Sequence, residues 1–230
     1  MEEELEPLVS AFIGIQSTPS NEDPVLSLPS VSRGWTGRFA LIWLGFWMAN
    51  LVPVQLLLPN QLAVIDPANK VRDFAVVNAV SGVVALVALP VCGTLSDRSR
   101  SRFGRRRTWI AAGAITFAAG LLATGAQTSW PMLTVCWSLS MLGLSAFTAG
   151  LTAVVADRVP ATQRGMISSA IFGPQALSVV VGIGAVAAFQ LSDLQGYIVL
   201  AVALMVLSVP FVAGYSEVPG AAVADPEGVR

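Results

Sequence analysis

The chain has 230 residues, of which 54% are hydrophobic and 12% charged, with a mean hydropathy of +0.70 and a formal net charge of -1. Soluble domains carry about a quarter charged residues, so this composition excludes an ordinary water-soluble domain, and the near-zero net charge excludes a chain-wide basic field that would recruit nucleic acid. Histidine is absent, which argues against hydrolytic and zinc chemistry.

Residues 1 to 38 open with MEEELEP and place six acidic groups before the first basic one, Arg33. Such a segment cannot bury a core. It also lacks the positive start of a secretory signal, so we expect a disordered cytoplasmic tail over 1–38. Six uncharged stretches follow, at 39–58, 74–95, 109–126, 130–156, 166–191 and 197–215. A hydrocarbon layer about 30 Å thick needs roughly 20 apolar residues in a helix, so each stretch is long enough to span it. The expected fold is therefore all-α and polytopic, with a six-helix transmembrane domain over 39–215 and a cytoplasmic C-terminal tail over 216–230.

Within the first stretch, Trp43, Trp47 and Asn50 stand at i, i+4 and i+7 and share a helical face. Two indoles and an amide near the midplane suit the wall of a solute path, though helix packing with an interfacial tryptophan is the plainer reading. Gln175 follows the Gly173-Pro174 pair midway along the fifth stretch. Proline there withdraws a backbone hydrogen bond, giving a kink, a polar cavity wall, or both. Pro53, Pro90 and Pro210 add further possible bends, with Pro210 placed to end the sixth helix. No Asp, Glu, Lys or Arg falls within the six stretches, so no ion-coupling residue is visible in them. Small residues recur at four-residue spacing in Ala114 and Ala118, Ala146 and Gly150, and Ser178 and Gly182, a pattern that lets helices approach closely. Cys92 and Cys136 lie in apolar runs without metal or redox spacing. With no nucleophile, base and acid constellation either, no enzyme activity, cofactor or metal is expected.

Six arginines crowd into GTLSDRSRSRFGRRRTWI after the second stretch, from Arg98 to Arg107. Basic residues in short loops stay on the cytoplasmic side. With the N-terminus inside, eleven of the basic residues are cytoplasmic and only Lys70 and Arg72 lie outside. An even number of spans then puts both termini on the cytoplasmic side of the cell membrane. Arginine outnumbers lysine twelve to one, an association with GC-rich bacterial genomes.

The run Gly93-Thr-Leu-Ser-Asp97-Arg98, followed by Gly104, Arg105 and Arg106, resembles the signature loop between helices 2 and 3 of the major facilitator superfamily. Its longer spacing is similar to that of sucrose-type and related glycoside cation symporters. A second run, Asp157-Arg158-Val-Pro160-Ala-Thr-Gln-Arg164-Gly165, resembles the family's loop between helices 4 and 5. The resemblance covers residues 39 to 215 and implies half of a twelve-helix fold, itself a 3 + 3 inverted repeat. It also implies that Asp97 meets the start of a helix in the other half and closes the transporter on its inner side. Independently of the family, a carboxylate there suits a helix N-terminus with its unsatisfied N–H groups.

The expected function is transport of a small solute, with a sugar or glycoside favoured by the loop, by a half-transporter in the lipid bilayer. It would need a second six-helix half, supplied by a homodimer or a separate chain. The alternatives are an inactive fragment of a twelve-helix transporter and a membrane scaffold or binding protein.

Overall fold

The computed structural model describes residues 29–99 and 105–215, and among them helix is the only regular secondary structure. The first span comprises α1 (Arg33–Val52), a π-helical turn (Pro53–Leu57) and α2 (Leu58–Ile65). The second to sixth spans are α3 (Lys70–Arg98), α4 (Arg105–Gly125), α5 (Trp130–Arg158), α6 (Arg164–Ala188) and α7 (Asp193–Gly214). All six are long and apolar enough to cross a membrane.

The spans extend past the uncharged stretches that identify them. α1 starts at Arg33, where the Ser32 hydroxyl accepts a hydrogen bond from the Trp35 N–H at 3.2 Å and caps the helix. The last six residues of the segment assigned to a tail over 1–38 are thus helical, while residues 1–28 and 216–230 lie outside the described residues. Charge reports where a helix meets headgroups rather than where it ends, because Arg and Lys stems reach back to the interface. Pro90, Pro174 and Pro210 all sit inside helices, and α7 continues past Pro210 to Gly214 instead of stopping there.

The packing obeys an internal symmetry. α1 packs on α6 and α7, α5 packs on α3 and α4, and α4 packs on α7. Exchanging the first three spans for the last three in order turns the α1 contacts into the α5 contacts and maps the α4–α7 contact onto itself. This is the 3 + 3 repeat expected from the sequence.

Close approach of α4 and α5 depends on glycine. A Cβ on Gly143 of α5 would strike the Phe117 backbone of α4, and one on Gly113 would strike the Phe147 backbone in return. Gly120 stands in the same relation to Ser140, where an added Cβ would lie 2.5 Å from the backbone nitrogen. Among the small pairs read from the sequence, Ala114 and Ala118 are buried, Gly150 abuts Ile110, and Gly182 abuts Val52. Because backbone rather than a flexible side chain blocks the space, Gly143→Ala is expected to cost about 1 to 3 kcal/mol through overpacking. Thermal unfolding in detergent, followed by a thiol-reactive dye at the native Cys92 and Cys136, checks this; an unchanged midpoint would contradict the tight α4–α5 contact.

α3 and α6 are the exception to this enclosure. Only 17% of the most apolar window of α3 and 22% of that of the fifth span are buried, against 56% and 50% for the first and fourth spans. Gly82 and Gly93 of α3, and Gly165, Gly173 and Gly184 of α6, have nothing within 4 Å of where a Cβ would lie. The two helices related by the repeat therefore both carry glycines that no neighbour uses.

Candidate functional site

The arginine-rich end of the bundle is organised around Arg106 at the start of α4. Its side chain is 8% exposed. Nη1 lies 2.7 Å from Asp97 Oδ1 and donates to the Ser96 hydroxyl at 3.1 Å, both at the end of α3. Nε donates to Asp157 Oδ2 at 2.8 Å, at the end of α5. A planar guanidinium with five donors can serve two carboxylates and a hydroxyl at once, which an ammonium cannot match. One side chain thus ties the second, third and fourth spans together.

Asp97 keeps 65% of its side chain exposed despite this contact, whereas Asp157 keeps 33%. The exposed part of Asp97 faces a groove of about 360 Å³ between α3 and α5, lined by Leu89, Gly93 and Asp97 on one side and by Thr148, Ala149, Thr152, Ala153 and Ala156 on the other. The Thr148 hydroxyl is buried and finds no hydrogen-bond partner among the described residues. The groove is therefore mostly apolar, with a carboxylate at its end.

Two further contacts brace this end. The Arg158 guanidinium lies 5.4 Å over the Tyr215 ring, joining α5 to the end of α7. After α5 the chain turns at Pro160, and Gln163 Oε1 accepts the Val31 N–H at 2.8 Å.

A second group of candidates lies at membrane depth between α1 and α6. Trp47 Nε1 donates to the Ile171 carbonyl at 2.7 Å, and its ring lies 6.2 Å from that of Phe172, which is itself 60% exposed. Asn50 and Gln175 are half-buried on the same two helices. Trp43 belongs instead to the aromatic core, 3% exposed and packed edge-on to Phe39 and Phe46. The 40° that separates i from i+4 on a helix moves one indole into the core and leaves the other at its margin.

A family profile described as the Major Facilitator Superfamily matches residues 39–228, a range that takes in most of the first span and all of the other five. The chain belongs to that superfamily. No curated protein matches it at a significant level. The chain is accordingly a multi-pass membrane protein of a family that transports small solutes.

In this superfamily member the two loop motifs read separately in the sequence meet in space: Gly93 and Asp97 from the first, Arg106 shared between them, and Asp157 from the second. Arg98, Arg164 and Gly165 are exposed, and Pro160 shapes the turn that leads into the short helix before α6. Gly104 lies outside the described residues, as does the side chain of Arg105.

Three residues of weight escaped the sequence reading. Asp73 sits just outside the second uncharged stretch, yet it is fully buried at the start of α3, with Arg72 donating to Oδ1 at 2.9 Å and Oδ2 without a hydrogen-bond partner among the described residues. Gln61 is buried at the same end and donates to the carbonyls of Thr124 and Gln127, fastening the first span to the third. Gln55 is exposed within the π-helical turn. Only Asp73 had a legible signal, the adjoining Arg72 after an Asn-ended turn.

Proposed function

We propose that the chain moves a small uncharged polar solute, a sugar or glycoside, across the cell membrane by alternating access against a second six-helix unit. The groove that carries this reading lies on the open face and ends at Asp97. Its Gly93 and alanines leave room for another helix to pack closely. Asp97, held by Arg106 but largely exposed, is aimed to accept N–H groups from the start of an incoming helix.

The incoming helix is α6 of a second copy of this chain, or its counterpart in a complementary chain. Two six-helix units related by an axis along the membrane normal bring Asp97 of one toward Gly165 and Met166 of the other, and the open faces of α3 and α6 cover each other. Trp47, Asn50, Phe172 and Gln175 then line the space between the units. That wall offers amides and aromatic faces, which suits hydroxylated neutral solutes rather than ions. The arginine-rich end is the cytoplasmic one, and both termini lie on that side.

Counterflow of a panel of radiolabelled neutral sugars and glycosides into liposomes containing the purified chain tests the reading, alongside the detergent-corrected particle mass. Uptake by a particle of twice the 24.0 kDa chain mass is expected. A single-chain particle that moves none of the panel would favour a scaffold or binding role.

A further inference from the structure

The first span leaves α-helical geometry once, over Pro53–Leu57, where the Leu58 N–H bonds to the Pro53 carbonyl five residues back. Two prolines bracket the irregularity. Pro53 has no N–H to offer the Ala49 carbonyl, and Pro59 has none for the carbonyl of Gln55. Withdrawing two hydrogen bonds in succession loosens the turn between them, and a π-helical turn takes up the slack. Such single turns recur at functional sites.

The wider turn changes which side chain continues the face of Trp47 and Asn50. In unbroken α-helical register that face runs through Leu51 and Val54 to Leu58. Here Leu58 is fully buried, as are Val52, Pro53 and Leu57, while Leu51 and Val54 are half-buried and Gln55 is exposed. Each residue of a π turn advances less around the axis than an α-helical one, so Gln55 is carried back toward Trp47 and Asn50. Counting 1.5 Å per residue from Ile65, Gln55 lies about 15 Å below the end of its span and Asn50 about 22 Å below it. Both depths fall inside the hydrocarbon layer.

An amide facing lipid at that depth has nothing to hydrogen-bond, and neither has a main-chain carbonyl robbed of its donor. Irregular backbone in a membrane is found where it is buried in protein or lines a water-filled cavity; here Pro53 and Leu57 are buried in the bundle, and Gln55 is the exposed residue of the turn. The exposed faces of the peripheral helices look quite different: α4 shows Ala112, Ile115, Ala119 and Leu122, and α7 shows Val202, Val206 and Val209. These are the surfaces that lipid covers.

We infer that the π-helical turn exists to aim Gln55 into the solute path, where its amide is a specificity-determining contact for a hydroxylated solute on the side of the membrane opposite the arginine-rich end. The inference rests on the transport reading above. With Asn50 and Gln175 it gives the path three neutral amides at successive depths, each able to donate and accept. Gln55→Leu should then raise the KM for a transported sugar with little change in kcat, and Gln55→Asn should restore part of the loss.

Thiol accessibility tests the placement without a known solute. In the full chain with Cys92→Ala and Cys136→Ala, reconstituted in liposomes, single cysteines are introduced at Leu51, Val54, Gln55, Leu57 and Leu58, with Ile115 and Val206 as lipid-facing controls. The probe is a membrane-impermeant cationic methanethiosulfonate, which needs a thiolate and therefore water. Gln55→Cys is expected to react about tenfold or more faster than Leu58→Cys and both controls. A reactive Leu58→Cys beside a silent Gln55→Cys would mean an α-helical register and overturn the inference. So would a Gln55→Cys as slow as Ile115→Cys in a chain that transports sugars. A reactive Gln55→Cys in a chain that transports nothing overturns the transport reading, and with it the solute role, while leaving the π register in place.

Discussion

Arg106→Ala is expected to lower the stability of the bundle by about 3 kcal/mol, or roughly 5 to 10 °C in unfolding midpoint. The guanidinium is 8% exposed and serves Asp97, Ser96 and Asp157 together. Its loss leaves two carboxylates 2.7 and 2.8 Å from an empty position and severs the tie among α3, α4 and α5. The cost stays below that of a fully buried pair because both acids retain contact with water. Arg106→Lys should recover less than half of the loss, since a single ammonium cannot reach Nε and Nη1 positions at once. The dye-based unfolding assay measures both variants. Midpoints within a degree of the parent protein would show that the clasp carries no load.

Gly93→Val is expected to leave the bundle intact and abolish its function. Nothing lies within 4 Å of a Cβ at Gly93, so the isolated unit should tolerate the change within about 0.5 kcal/mol. The same side chain fills the narrow part of the groove beside Asp97, where the proposed helix must approach closely. Sugar counterflow should fall by about tenfold or more, and the particle mass should drop toward that of one chain, because overpacking a helix contact costs about 1 to 3 kcal/mol. Normal uptake with an unaltered particle would remove the groove from the mechanism. The contrast with Gly143→Ala is diagnostic: one glycine serves the contacts inside the bundle, the other borders open space where the proposed second unit would pack.

The six spans were legible because each apolar run is free of charge, and the two loop motifs were legible because their residues are contiguous. What contiguous reading could not supply was the meeting of the motifs. Arg106 is nine residues from Asp97 and 51 from Asp157, and only the return of α5 alongside α3 brings the acids to one guanidinium. Helical spacing placed Trp43, Trp47 and Asn50 on one face, but spacing does not reveal that Phe39 and Phe46 draw Trp43 into the core. The burial of Asp73 was hidden for a different reason. Ending a span at the first charge treats a carboxylate as solvent-facing, whereas α3 begins three residues earlier and carries Asp73 inside. Likewise, proline at position 53 announces a disturbance, yet the choice between a kink and a π turn is settled by which side chains the neighbours will bury.

The Arg106 clasp also bears on how the protein is made. Its three helices are consecutive in the chain, so all its groups are present once Arg158 has left the ribosome and entered the bilayer. α1, by contrast, packs mainly on α6 and α7, which are synthesised later. The second, third and fourth spans can therefore lock as a unit before the main partners of the first span have been made, so assembly order departs from chain order.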